Sequence, residues 1–297
     1  MVTLAACSGP SVEHDAGFDA GLADAGFDAG ADAGTDAGTD AGVDGGADAG
    51  TVYEVPIRVL RDGQVPTRLY CLARRDDDAG VALLIDTGSG LSFLSTPQGS
   101  PDYVPDAGFL WLGSQRRLMA GRPYAVNETI DGLPVIGFLG NDFFFEQATV
   151  IDLAGERIRQ EAPWNPAEWT AVPYENRQDY MFVVVELDQV TRRLGFDTGA
   201  GDALLLDAGP QPGDQPVQTQ DAYGNMLTLY LGTTQLSIDG GTPRTVPLLR
   251  APTFPSLEDS NHALGGSHID GLFGLSALPG GAIGIDAAHS IIWLRND

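Results

Sequence analysis

Two aspartates occupy the same short setting. Leu83-Leu84-Ile85-Asp86-Thr87-Gly88-Ser89-Gly90 returns as Leu194-Gly195-Phe196-Asp197-Thr198-Gly199-Ala200-Gly201. In both copies an apolar strand ends in Asp-Thr-Gly, and more apolar residues follow (Leu91 to Leu94, Ala203 to Leu206). A carboxyl accepts hydrogen bonds when ionised and donates one when protonated, so a pair of them can do general acid–base work. A single Asp-Thr-Gly is an ordinary turn, because Asp and Gly favour turns. The same acid at the same point of an internal repeat asks for more than a turn. Gly88 and Gly199 permit tight backbone with N–H groups aimed at the carboxylates.

The elements that must position these aspartates also repeat. Gly137-Phe138-Leu139-Gly140-Asn141-Asp142-Phe143-Phe144, then Val150-Ile151-Asp152-Leu153, returns 134 positions later without a gap. The second copy reads Gly271-Leu272-Phe273-Gly274-Leu275-Ser276-Ala277-Leu278, then Gly284-Ile285-Asp286-Ala287. A weaker match pairs Leu112–Gly121 with Leu231–Gly240. Each half therefore holds a strand, Asp-Thr-Gly, a middle hairpin, an apolar-apolar-Gly step and a closing strand. Short apolar runs separated by Gly, Pro, Asp and Asn, with few helical patterns, predict an all-β chain of two similar halves. Residues 51–162 form the first half, 163–176 the connection and 177–297 the second half.

Composition excludes several chemistries. The 297 residues carry a formal charge of −25, which argues against binding nucleic-acid phosphates or docking by charge on an anionic membrane. All sixteen basic residues are Arg, so lysine Schiff-base chemistry and a P-loop lysine are absent. Cys7 and Cys71 form no framework, and the histidines (His14, His262, His268, His289) lack metal-ligand spacing. No metal and no cofactor is expected. No apolar run reaches the length of a membrane span.

The start of the chain is different in kind. Leu4-Ala5-Ala6-Cys7 resembles a bacterial lipobox with Cys7 as the lipidated residue, and residues 1–7 read as the remnant of such a signal. Only six residues precede Cys7, fewer than a charged region and an apolar region need. Either the start lies upstream or the match is chance. Residues 8–50 repeat Asp-Ala-Gly-x, from Asp15 to Asp48. With so little apolar surface and so much like charge, the segment predicts a disordered, extended linker. Anchor, spacer and domain together predict a lipid-anchored protein of a bacterial cell envelope, outside the cytoplasm.

The paired Asp-Thr-Gly motifs, each followed by Phe138-Leu139-Gly140 or Leu272-Phe273-Gly274, resemble the retropepsin-like and pepsin-like aspartic proteases. Gly140-Asn141-Asp142-Phe143 followed by Val150-Ile151-Asp152 resembles bacterial retropepsin-like domains in particular. The resemblance spans most of residues 55–295. It implies a bilobal acid-protease fold of two barrel-like lobes around a cleft. It implies Asp86 and Asp197 as the catalytic pair, sharing one proton because two carboxylates about 3 Å apart do not both ionise comfortably. It also implies that Thr87 and Thr198 hydrogen-bond across the lobes, and that each apolar-apolar-Gly step crosses behind a catalytic loop. Ser89 is placed to donate to Asp86; Ala200 has no hydroxyl to do so for Asp197, so the two carboxylates are expected to be held unequally.

A covering flap is expected in the second half, whose candidate loop (Asp207 to Thr228, with Tyr223 and Gly224 near its tip) is the longer. The predicted function is an aspartic endopeptidase that acts as a monomer on a peptide or protein substrate, meets no nucleic acid, and meets the membrane only through its anchor. The alternative keeps the fold and drops the catalysis: a surface binding protein on a protease scaffold. A nucleophile elbow at Gly88-Ser89-Gly90 is excluded because no βα alternation surrounds it.

Overall fold

From Tyr53 to Asp62, Val55, Ile57 and Val59 face inward while Glu54, Pro56 and Leu60 face out. That alternation is what a half-buried strand requires. Val81 to Ile85, by contrast, are all buried, the unbroken apolar run of a strand covered on both faces. The second kind of strand leads into each aspartate.

The computed structural model describes residues 53–95, 108–122, 128–160, 168–220, 225–255, 257, 268–278 and 280–295. These form an almost entirely β protein of two barrel-like lobes. The first lobe runs β1 (Tyr53–Asp62), β2 (Val65–Arg74), β3 (Gly80–Ile85), β4 (Phe93–Ser95), β5 (Gly108–Leu112), β6 (Gln115–Arg122), β7 (Thr129–Ile130) and β8 (Leu133–Leu139). The short helix α1 (Asn141–Phe145), β9 (Thr149–Asp152) and β10 (Arg157–Gln160) complete it. The second lobe runs β11 (Thr170–Arg177), β12 (Tyr180–Leu187), β13 (Val190–Phe196), β14 (Ala203–Leu206), β15 (Gln215–Gln220), β16 (Met226–Ser237) and β17 (Arg244–Ala251). It ends with β18 (Gly271–Phe273), a single 3-10 turn at Leu275–Ala277, β19 (Ala282–Asp286) and β20 (Ile291–Arg295).

One six-stranded sheet joins the lobes in the order β1, β10, β9, β19, β20, β11. At its centre Val150 faces Gly284. These two residues are equivalents under the 134-residue repeat, so the approximate twofold axis passes between them. Ile151, Ile158, Ile283, Ile285 and Ile292 are buried in an apolar core that also takes in Ile85 and Leu139 from the first lobe and Phe196 and Phe273 from the second.

Two details depart from the sequence reading. Thr170–Arg177, placed partly in the connection at 163–176, is a strand paired with both β20 and β12. The weak match of 112–121 with 231–240 is out of register. Phe93 and Leu204 are counterparts, each opposite the first apolar residue of its lobe's apolar-apolar-Gly step. Phe93 runs beside Ala120 of β6, and Leu204 beside Leu249 of β17. The strand equivalent to β6 is therefore β17, not β16.

Candidate active site

In each lobe the apolar-apolar-Gly strand is threaded between two others. β8 runs parallel to β3, with Leu84 beside Phe138 and Ile85 beside Leu139, and antiparallel to β4. β18 runs parallel to β13, with Gly195 beside Leu272 and Phe196 beside Phe273, and antiparallel to β14. The aspartate that follows is pinned by this neighbour. The N–H of Asp86 donates to Leu139 O at 3.0 Å, and that of Asp197 to Phe273 O at 3.2 Å.

The chain then turns under each Asp-Thr-Gly loop through a glycine that has no room for a side chain. A Cβ on Gly140 would lie 2.5 Å from Leu91 O, and one on Gly274 2.2 Å from Asp202 O. Beyond the glycine, Asn141 N donates to Ser89 O and Asp142 N to Gly90 O. Leu275 N and Ser276 N do the same to Ala200 O and Gly201 O. Side chains finish the support. Asp142 accepts from the N–H and hydroxyl of Ser92, whose Oγ in turn accepts from Gly140 N; on the other side Ser276 Oγ accepts from Ala203 N.

The two loops grip each other. Thr87 Oγ1 donates to Phe196 O at 3.0 Å and accepts from Thr198 N at 2.9 Å. Thr198 Oγ1 donates to Ile85 O at 3.0 Å and accepts from Thr87 N at 3.1 Å. This reciprocal set satisfies four buried backbone groups and sets the aspartates side by side. Asp86 is 0% exposed and Asp197 2%, and they lie close enough for the charge of one to act on the other.

Each carboxyl also lies against the glycine of the opposite loop. A Cβ on Gly88 would fall 2.6 Å from Asp197 Cγ, and one on Gly199 2.6 Å from Asp86 Cγ. Close approach, not a left-handed backbone, is what requires glycine at both places. Gly199 N and Ala200 N donate to Asp197 Oδ1 at 2.8 and 3.2 Å. Burial, then the charge of Asp86 beside it, push the Asp197 carboxyl well above the usual carboxylate range; the two N–H groups pull the other way. Such a pair holds one proton between two groups.

Ser89 does not play the part expected of it. Its hydroxyl donates to Leu91 O at 2.7 Å, so its single proton is committed to its own loop. Tyr223, Gly224 and Cys7 lie outside the described residues, as does the linker. β15 and β16 are paired up to Gln220 and Met226 on either side of that tip. Among the described residues no group of three His, Cys, Asp or Glu side chains is placed to hold a metal ion.

Two contributors went unassigned in the sequence. Asn141, buried beneath the first loop, bonds to both lobes. Arg250 and Asp214 form a buried ion pair at the root of the β15–β16 hairpin. The only sequence signals were a polar residue where the other repeat has Leu275, and a lone charge inside Leu248-Leu249-Arg250-Ala251.

No family model and no curated protein matches the chain. Solved structures do match. Basic 7S globulin from soybean is 9% identical, with 83% of this chain and 95% of that one covered, at a TM-score of 0.50. Conglutin gamma, a basic 7S globulin from lupine seeds, is 11% identical with the same coverage, at a TM-score of 0.45. At 9% identity the soybean match speaks to fold alone, an aspartic-protease-like scaffold. These findings correct the family expectation. The structural likeness is to a basic 7S globulin, not to a bacterial retropepsin-like protease with a lipoprotein-type N-terminus.

Proposed function

We propose that the chain hydrolyses peptide bonds with a water held between Asp86 and Asp197. One observation carries this reading: two buried carboxyls from two lobes, side by side and each seated on the other's loop glycine. Protein interiors avoid such like-charge pairs, and strongly shifted pairs cluster where chemistry is done. The ionised carboxylate takes a proton from the water, and the protonated one donates to the substrate carbonyl. The new C–O bond forms as the amide π-bond opens. Proton return to the nitrogen and C–N cleavage then release the amine. The substrate is a peptide or protein in this reading.

A second reading rests on the comparisons, which favour it more than the first: a binding protein on the same scaffold without turnover. The solved matches are globulins by name. Burial of both carboxyls to 0% and 2% points the same way, since it leaves little of the pair open to a peptide.

Cleavage of denatured casein by the full chain from pH 3 to pH 8, beside Asp86→Asn and Asp197→Asn, separates the two. Loss of activity in both variants supports shared-carboxylate hydrolysis. Activity unchanged in either sinks it. A folded wild-type chain that cleaves nothing leaves the binding scaffold.

A further inference from the structure

Asn141 is fully buried and reaches two lobes at once. Its Nδ2 donates to Thr87 O at 2.8 Å and to Asp179 O at 2.6 Å. Both neighbours are carbonyl oxygens, which only accept, so the amide nitrogen must face them. Thr87 O belongs to the first Asp-Thr-Gly loop. Asp179 belongs to the turn between β11 and β12 in the second lobe, where Gln178 and Asp179 both take left-handed backbone, φ 51° and 66°. That turn is seated on the same loop: a Cβ on Gly90 would lie 3.3 Å from Asp179 Cβ.

The cost of this arrangement is visible. Asn141 Oδ1 is buried with no hydrogen-bond partner among the described residues, and an orphaned buried acceptor is unfavourable. The other repeat fills the place with Leu275, which is buried and needs no partner. The orphaned oxygen offsets part of what the two Nδ2 bonds contribute, so the significance of the amide lies in what those two bonds hold.

We propose that Asn141 is a positioning residue for the aspartate pair, holding the Thr87–Gly88 peptide of the first loop against the second lobe's Gln178–Asp179 turn. The peptide unit is planar, so fixing Thr87 C=O also fixes the Gly88 side of the loop, the side that Asp197 rests on. Asn141 thus sets how closely Asp86 and Asp197 face each other. The inference rests on the hydrolytic reading for its consequence in turnover, but its geometric content is testable without turnover.

The test uses the full chain with 13C-labelled aspartate, the two carboxyl titrations being followed by NMR alongside casein cleavage. In Asn141→Leu, the residue of the other repeat, the pair is free to separate. Its two titration steps are expected to draw together, and kcat to fall on the order of 10- to 100-fold with KM little changed. Asn141→Asp keeps the shape and makes the donor titratable. The groups around it are Asp86 and Asp197, Asp142 on its own helix and Asp179 opposite. Burial and these like charges keep its proton to higher pH, where the protonated carboxyl still donates to a carbonyl. Carboxyl shifts of the pair and cleavage like those of the wild type while the new carboxyl is protonated, departing from them as it ionises, support the proposal and do not depend on the leucine variant folding. A folded Asn141→Leu with wild-type titration steps overturns it, as does an Asn141→Asp chain without pH dependence of its own. If the wild type titrates in two separated steps yet cleaves nothing, the hydrolytic reading fails while the titrations still decide the role of Asn141.

Discussion

The two Asp-Thr-Gly loops share a backbone and differ in what surrounds it. Both aspartates hang from the carbonyl of a threaded strand, both glycines admit the opposite carboxyl, and the threonines bond in a matched set of four. Around this symmetric centre stand Ser89 against Ala200, Asp142 against Ser276 and Asn141 against Leu275. The first loop is tied by side chains to its surroundings, including the other lobe. The second is braced at Ala203 by Ser276, and its aspartate accepts backbone N–H bonds on Oδ1 from Gly199 and Ala200. The repeat preserves what seats the pair and varies what tells its members apart.

The sharpest way to break the comparison is to neutralise one acid at a time. In the hydrolytic reading Asp86→Asn and Asp197→Asn each lower kcat by at least about 10²–10⁴-fold, the contribution of a positioned proton donor or acceptor. Stability should move in the opposite direction. The Asp197 carboxyl is raised in the folded chain, so the folded state binds a proton that the unfolded state releases near the ordinary carboxylate value. Stability from that proton is present at acid pH and is lost as pH rises through the window between the unfolded and the raised folded value. Asp197→Asn removes the titration, so its Tm should exceed that of the wild type near neutrality and the difference should shrink toward pH 3. A Tm difference independent of pH contradicts the raised carboxyl.

The next effect concerns the buried ion pair of the second lobe. Arg250 is 2% exposed and Asp214 6%. The guanidinium meets both carboxylate oxygens at 3.1 and 3.0 Å and also donates to Thr233 O. The pair fixes β17, β16 and the start of β15 together across Gly232, where a Cβ would lie 1.9 Å from Asp214 Oδ1. Arg250→Ala strands a buried carboxylate and should cost about 3–5 kcal/mol in urea unfolding. A cost under about 1 kcal/mol, the range of surface pairs, would show that the hairpin root is solvated.

Thr87→Val and Thr198→Val probe the symmetric part. Each removes one hydroxyl that donates and accepts, leaving a buried N–H and a buried C=O behind. Each orphaned group costs about 1–3 kcal/mol, and the two variants should lose stability equally. Unequal losses would mean that the asymmetry reaches the grip itself.

Much of this centre was legible because it is local. Asp-Thr-Gly after an apolar strand, and a gapless block 134 residues apart, survive in the sequence as spelled-out repeats. The middle hairpins were not legible: β6 and β17 correspond through parallel pairing with β4 and β14, and register set by a partner strand leaves no mark on spacing. β11 was hidden because the Trp and Pro residues up to Pro173 read as a connection, although β20 and β12 hold Thr170–Arg177 in a sheet. Asn141 is the clearest case. One of its partners, Asp179, lies 38 residues away in the other lobe, and no window of sequence contains both.

The smallest effect tests the one expectation in the loop that geometry reversed. Ser89 was placed to donate to Asp86, yet its proton goes to Leu91 O, so the serine braces the loop and does not bias the acid. Ser89→Ala makes the first loop like the second at this position. It should cost about 0.5–1.5 kcal/mol of stability, the net worth of one hydrogen bond. It should leave the two titration steps of the pair unchanged, because the carboxyl loses no donor. A shift of either step would return the serine to Asp86 and make the hydroxyl a second source of the difference between the loops. An unchanged titration leaves that difference to Asn141 below the first loop, where the second has Leu275.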